Sequence, residues 1–293
     1  MKKLTIVLTV LLFSTALIAQ QVNPAKLPYK MEDLTSPKFP KAVDLAGGVV
    51  VIPLGIIEKH GPHLPLGTDM IVAREKAFKA AQEEYAVVFP PYYNGQILEA
   101  KHQPGTIAYS TELMWKMLDE TCIELSRNGL KKIVLMNGHG GNNNFLHYFC
   151  QAQLASSRDY VVVLFQPRTD PVTEKEIKSL RKTPFDDHAG EEETSELYSI
   201  NPGLVDSGAA GTQSGANQGR LNIPFGYTGI WWYAKFPNHY AGDGTIYNKE
   251  LGELLIKSDA TQLAELVRYL KTNNSIEKLQ EEFYLRSVNP SEE

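Results

Sequence analysis

The chain has 293 residues, of which 43% are hydrophobic and 22% charged, and its formal net charge is −5. That balance suits one large globular domain or two small ones. The acidic charge, with no basic stripe or basic domain, argues against a nucleic-acid binder.

In chain order the first feature is a leader. "MKK" is a positive start, "LTIVLTVLLFSTALIA" an apolar core, and small Ala19 precedes Gln20 and Gln21. Residues 1–20 are expected to be a secretory signal peptide, cut near Ala19 or Gln20, which makes the mature protein periplasmic or secreted. The apolar run is slightly short for an uncleaved anchor, no cysteine follows it to carry lipid, and no later run is long enough to span a bilayer. Residues 21–41, rich in Pro and Lys, are expected to form an extended arm into a domain at residues 42–272. Residues 273–293 are charged and are expected to form a surface helix or a loose tail.

From residue 47 one grammar repeats. "GGVVVIPLGII", "YAVVFPPYY", "KKIVLMNG" and "YVVVLFQP" are apolar, β-branched runs, the mark of strands covered on both faces. Between them lie amphipathic stretches. "MIVAREKAFKAAQEE" follows an N-cap candidate in Asp69, "TELMWKMLDETCIELSRNG" ends on a glycine, and "NNNFLHYFCQAQLASS" is a third helix. "NKELGELLIKSDATQLAELVRYLK" is a long amphipathic helix near the end. The alternation predicts an α/β class, a layered fold with a mainly parallel sheet. Residues 203–240, rich in Gly, Asn, Trp and Tyr, are expected to be long loops over the same domain. Cys122 and Cys150 fall on buried helix faces and are expected to stay unpaired.

In parallel sheets, ligands bind outside the carboxyl ends of the strands. The polar clusters fall there. "EKHGPHLPLGTD" follows the first strand and holds Glu58, His60, His63 and Asp69. "NGHGGNN" follows the third strand and holds His139, Gly140 and Gly141. "DDHAGEEETSEL" supplies His188, Glu191, Glu192 and Glu193 at an expected helix N-terminus. Imidazole nitrogens and carboxylate oxygens are the donors hydrolases use for divalent metals. Each cluster alone also fits a polar turn, a glycine-rich turn or a solvated helix start. Their conjunction makes a metal site the leading reading. The glycine turn lacks the Lys-Ser/Thr of a P-loop, and no G-x-S-x-G elbow supports a serine triad. His102, His147 and His239 stand isolated and are expected to be structural or at the surface.

"PLGIIEKHGPHLPLGTD", "QPGT", "MNGHGGNN" and "HAGEEETS", in that order, resemble the creatininase family, creatinine amidohydrolase and its relatives, from about Gly48 to Leu270. The resemblance implies a three-layer α/β/α sandwich, a metal-dependent amidohydrolase, two divalent ions (zinc, manganese or iron) and a homo-oligomer, often a hexamer. Carried over by position, it puts Glu58 and His139 on one metal and His60 on the other, with Asp69 bridging. In creatininase itself a metal-binding glutamate stands where this chain has Gly141. Glu191 is the expected replacement, with Glu193 orienting a ligand or His188; the two roles are interchangeable on sequence grounds. His188 matches the histidine beside the reacting amide and is the expected general acid. The change at 141 turns expectation from creatinine itself toward other cyclic amides, formamides or small peptides.

The expected reaction is attack of a metal-bound hydroxide on an amide carbonyl, a C–N hydrolysis outside peptide bonds, with the backbone N–H groups of Gly140 and Gly141 against the oxyanion. Trp231, Trp232 and Tyr233 are expected to wall a small flat substrate or to serve as core. An exported small-peptide hydrolase of the same family and a non-catalytic metal- or ligand-binding relative are the competing readings. A metal phosphoesterase would need a cation near the metals, for which Lys59 and Lys101 are weak candidates.

Overall fold

A computed structural model describes residues 27–291; the expected leader and the start of the arm lie outside the described residues. Four strands, β1 (Val49–Leu54), β2 (Val87–Val88), β3 (Lys132–Asn137) and β4 (Val161–Leu164), form a parallel sheet in the order β2-β1-β3-β4. Each lies inside one of the four apolar runs. β1 and β3 pair along their whole length, from Val49 beside Lys132 to Leu54 beside Asn137. β2 stops after two residues; Pro90 and Pro91, which lack an amide hydrogen, follow almost at once.

The helices are α1 (Phe39–Leu45), α2 (Thr68–Glu83), α3 (Thr111–Arg127), α4 (Asn143–Ala152), α5 (Pro171–Leu180), α6 (Glu191–Ile200), α7 (Trp231–Lys235), α8 (Lys249–Thr272) and α9 (Ser275–Val288). Alternate strand residues feed two separate cores, as the two-residue period of a strand requires. Val50, Ile52, Leu54, Ile133 and Leu135 pack with Ala42 of α1, Leu118 and Cys122 of α3, and Leu146 and Phe149 of α4. Val49, Val51, Val134 and Met136 pack with Ala77 and Ala80 of α2 and with Leu263, Ala264 and Val267 of α8. The result is the three-layer α/β/α sandwich. Both cysteines are free.

Local signals set the helix ends. The Ser110 hydroxyl accepts from the Leu113 amide at 3.3 Å to open α3. At its other end Gly129, with φ of +89°, closes the helix through Gly129 N–H to Ser126 O and Leu130 N–H to Leu125 O. α9 docks on the body through Tyr284 Oη to Gln153 O and Gln280 Nε2 to Tyr160 O, so the C-terminal segment is a helix. Among the described residues, no helix is long and apolar enough to cross a membrane.

The strand order reverses between β1 and β3, with β2 on one side and β4 on the other. A crevice therefore opens at the carboxyl ends of β1 and β3, where the connections leave in opposite directions.

Candidate metal centre

Two glycines bring the site together. A Cβ on Gly55, just past β1, would lie 2.3 Å from Met70 Cα; one on Gly138, just past β3, would lie 2.8 Å from Ala73 Cβ. Only bare backbone lets the start of α2 press against both strand exits. That contact delivers Asp69. Asp69, the N-cap candidate of the sequence, does not cap the helix; α2 begins at Thr68 with Gly67 as its N-cap, and Asp69 sits inside the first turn. Its carboxylate turns into the crevice to meet His60 and His139.

The ring nitrogens show what the crevice is made to hold. His139 Nε2 donates to Gln96 O at 2.9 Å, which leaves Nδ1 as the ring atom turned into the crevice. That nitrogen faces Glu58 Oε1 at 2.8 Å and Asp69 Oδ2 at 3.2 Å. Neither carboxylate oxygen has a hydrogen-bond partner, and both are buried. His60 repeats the pattern: Nδ1 donates to Glu58 O at 3.3 Å, and Nε2 faces Asp69 Oδ1 at 2.8 Å and Glu193 Oε2 at 3.8 Å. Each of these nitrogens and the buried carboxylates it faces need positive charge between them, a ring proton in the metal-free protein or a metal ion that displaces it. Nitrogen and carboxylate donors suit zinc, manganese or iron, so the residues present fit a divalent metal.

The three successive glutamates of α6 point three ways, because neighbouring helical residues are turned about 100° from one another. The Glu191 carboxylate accepts from the amides of Lys182 and Thr183 at 2.6 to 2.8 Å, fully buried and outside the cluster. Glu192 accepts from Arg181 Nη1 at 2.8 Å. Glu193 alone faces the crevice, taking the Ala189 amide at 2.6 Å and lying 3.8 Å from both His60 Nε2 and His188 Nδ1. The geometry thus turns Glu193 rather than Glu191 toward the cluster, and leaves Glu191 on the Lys182 and Thr183 amides.

His188 donates through Nε2 to Lys59 O at 3.0 Å, leaving its Nδ1 toward Glu193. His63 stands apart, with Nε2 on Thr194 Oγ1 at 2.9 Å. His239, expected to be structural or at the surface, is buried inside the cluster. Its Nε2 donates to Glu58 Oε2 and its Nδ1 accepts from Trp232 Nε1 at 2.7 Å. Glu58 and His239 are separated by 181 positions, and "NHYAGDG" carries no ligand spacing, so no local signal points to it.

A cavity of about 880 Å³ opens at the Gly140–Gly141 turn that follows His139, lined also by Glu99, His102, Trp231 and Tyr233; the clustered histidines and carboxylates are not on its wall. Lys101 also reaches this wall, whereas Lys59 is tied to Gln213 Oε1. Trp232, expected as a substrate wall, is not on it; the residue is buried behind, against His239. A Cβ on Gly141 would meet His139 Nε2 at 2.4 Å and Glu99 Oε1 at 2.8 Å, so no side chain fits there without movement. A smaller cavity of about 230 Å³ reaches Asp69, His139, Glu193 and Glu196 from the helical side.

Charge in the cluster is strongly coupled. Burial opposes protonation of His60, but Asp69 and then Glu58 outweigh it and push the ring up to about 10. His139 is raised in the same way, mainly by Glu58 once burial is overcome. Burial resists charge on Glu58, yet His139 and His188 hold its carboxyl well below the usual range. Burial lowers His188 to about 3, with His60 and His239 adding to the effect against the pull of Glu58. Burial raises Glu193 to about 8 against the pull of His60.

Fold and site together define a class: a parallel α/β/α sandwich with a buried histidine–carboxylate cluster at the switch point of its sheet. A family model described as "Creatininase: Creatinine amidohydrolase" matches residues 32–267, and the chain belongs to the creatininase family. It is 34% identical over 163 residues to the mycofactocin precursor peptide peptidase of Mycolicibacterium smegmatis, a match covering 53% of this chain and 58% of that one. It is 27% identical over 188 residues to the creatinine amidohydrolase of Pseudomonas putida, covering 59% of this chain and 72% of that one. A solved structure described as "Creatininase Mn" shares the fold with a TM-score of 0.70 and 21% identity, covering 84% of this chain and 100% of that one. The match thus spans little more than half the length of the peptidase relative.

Proposed function

We propose that the protein is a metal-dependent amidohydrolase with a site for two divalent cations, cleaving a C–N amide bond of cyclic-amide or formamide type. The observation that carries this reading is the division of Asp69, whose Oδ1 faces His60 Nε2 and whose Oδ2 faces His139 Nδ1. Glu58 Oε1, His139 Nδ1 and Asp69 Oδ2 would hold one cation. His60 Nε2, Asp69 Oδ1 and Glu193 Oε2 would hold the other, with Glu193 taking the part expected of Glu191. When bound, zinc or manganese ions supply Lewis acidity toward a carbonyl and lower the pKa of water toward neutrality.

The chain's own residues do the rest. His188 keeps its Nε2 hydrogen on Lys59 O, so Nδ1 is the atom that takes a proton from attacking water and passes it to the leaving nitrogen. The amides of Gly140 and Gly141, at the cavity wall, are the donors for the developing oxyanion. Trp231 and Tyr233 flank the substrate.

Hydrolysis at the end of a short peptide is the second reading. It is favoured by the likeness to the mycofactocin precursor peptide peptidase of Mycolicibacterium smegmatis, 34% identical over 163 residues. A panel of cyclic amides, formamides and short peptides, assayed with zinc or manganese and with chelator, separates the two. Turnover of none of them by metal-loaded protein would overturn the enzymatic reading.

We also propose export, from the leader-like residues 1–20, and assembly into a homo-oligomer, a hexamer by family resemblance. Exposed Ile223, Phe225, Tyr227 and Ile230 on the loop before α7 support assembly. Intact mass of the protein recovered from cells tests the first; a full-length mass contradicts cleavage. Light scattering after size exclusion tests the second, and a monomer contradicts it.

A further inference from the structure

The buried chain Trp232–His239–Glu58 has no part in the proton path just described. We infer that His239 is a positioning residue that fixes which oxygen of Glu58 is free to bind metal. The inference rests on the two-cation reading above.

Indole Nε1–H can only donate, and it gives its hydrogen to His239 Nδ1 at 2.7 Å. Nδ1 therefore holds a lone pair, and the ring's hydrogen is on Nε2. Nε2 donates that hydrogen to Glu58 Oε2. Glu58, His188 and His239 bring ligand atoms within 4.8 Å of one another, which by itself would suit a metal. The tautomer argues otherwise: Nε2 carries a proton, not a lone pair, so His239 serves as a donor. With Oε2 committed, Glu58 has one free oxygen, Oε1, and that atom faces His139 Nδ1 at 2.8 Å. His239 thus makes Glu58 a one-oxygen ligand on the His139 side.

Burial and backbone point the same way. Glu58 is 0% exposed, His239 2% and Trp232 8%, so no solvent stands ready to replace either hydrogen bond. His239 also has φ of +50°, a left-handed conformation that residues with a Cβ seldom adopt. The turn is held by His239 N–H to Phe236 O at 2.9 Å and Gly61 N–H to His239 O at 3.3 Å. The second of these bonds ties the turn to the segment that carries Glu58 and His60. A strained residue kept by its surroundings at a buried ligand suggests a role for its side chain.

The test is zinc affinity of the full chain, by chelator competition, with stoichiometry at saturating zinc. His239→Gln keeps an N–H donor near the Nε2 position. His239→Asn, well suited to a left-handed backbone, is too short to reach Glu58. Trp232→Phe removes the group that fixes the tautomer. His239→Asn is expected to weaken one of the two zinc sites by roughly 10–100-fold while keeping two equivalents at saturation. His239→Gln is expected to restore most of that loss, and Trp232→Phe to show a smaller loss in the same direction. Wild-type affinity in His239→Asn, equal behaviour of Asn and Gln, or loss of an equivalent at saturation would overturn the inference; the last would make His239 a ligand. If wild-type protein binds no zinc, the two-cation reading fails by itself. Nitrogen-15 spectra of His239 in metal-free protein then decide the hydrogen-bond chain, with Nε2–H and bare Nδ1 expected and the opposite tautomer contradicting it.

Discussion

Glu191 and Glu193 differ in fate because one helical step of about 100° separates each glutamate from the next. Glu193→Gln should lower metal affinity and turnover with little change in melting temperature of the metal-free protein. Glu191→Gln should do the reverse. Its amide would set a donor against the Lys182 and Thr183 N–H groups, costing about 1–3 kcal/mol of stability, while metal content at saturation is kept. Metal analysis and thermal melts on both variants distinguish the cases. The histidines make a prediction about pH. His60 in the metal-free protein is raised from an ordinary 6.5 to about 10. A raised histidine contributes stability that is fully present below its unfolded value and lost as pH rises through its folded value. Metal-free protein should therefore lose stability between pH 6.5 and 10 more steeply than His60→Gln, read by denaturant midpoints. Near neutral pH, metal binding should also release protons, measurable by calorimetry in buffers of different ionisation enthalpy.

The rotation of α6 is set by its neighbour α8. A Cβ on Gly252 of α8 would lie 2.0 Å from Ser195 O of α6, and Ser195 Oγ accepts from the Asn248 amide at 2.9 Å. Glycine inside a helix costs about 1 kcal/mol relative to alanine; here it permits backbone-to-backbone approach. Gly252→Ala should destabilise by about 1–3 kcal/mol through overpacking and, by moving α6, should weaken metal binding at the distant Glu193. Unchanged stability and unchanged metal affinity would show that this contact does not set the helix. The same dependence explains what could be read from the sequence. The strands were legible because Val49–Leu54 and Lys132–Asn137 are buried on both faces and so are apolar throughout. Glu58, His60 and His139 were legible as candidates because each lies a few residues past a strand end, and Asp69 because the Gly-Pro turn after β1 leads to it. The choice among Glu191, Glu192 and Glu193 was not, because it depends on a helix more than fifty residues away. Asp69 looked like a cap because nothing local shows that Gly55 and Gly138 draw it inward. His239 reaches Glu58 across 181 positions, a contact only the closed fold creates.

At the scale of the molecule, the sheet order places the crevice, and the histidine–carboxylate cluster lies there, at the carboxyl ends of β1 and β3. Because the proposed ligands come from segments 58–69, 139 and 193, metal binding should be coupled to stability of the whole fold. At a free metal concentration about 100 times Kd, binding should add about 2.7 kcal/mol. At roughly 2–4 °C per kcal/mol for a domain of this size, the melting midpoint should rise by roughly 5–10 °C. The most direct measurement is metal content of the purified protein joined to amide turnover. The expected result is about two equivalents of divalent metal per chain, activity on a member of the amide panel, loss of both to chelator and return of both with zinc or manganese. Folded protein that takes up no divalent metal, or that hydrolyses amides equally well after complete metal removal, would contradict the account.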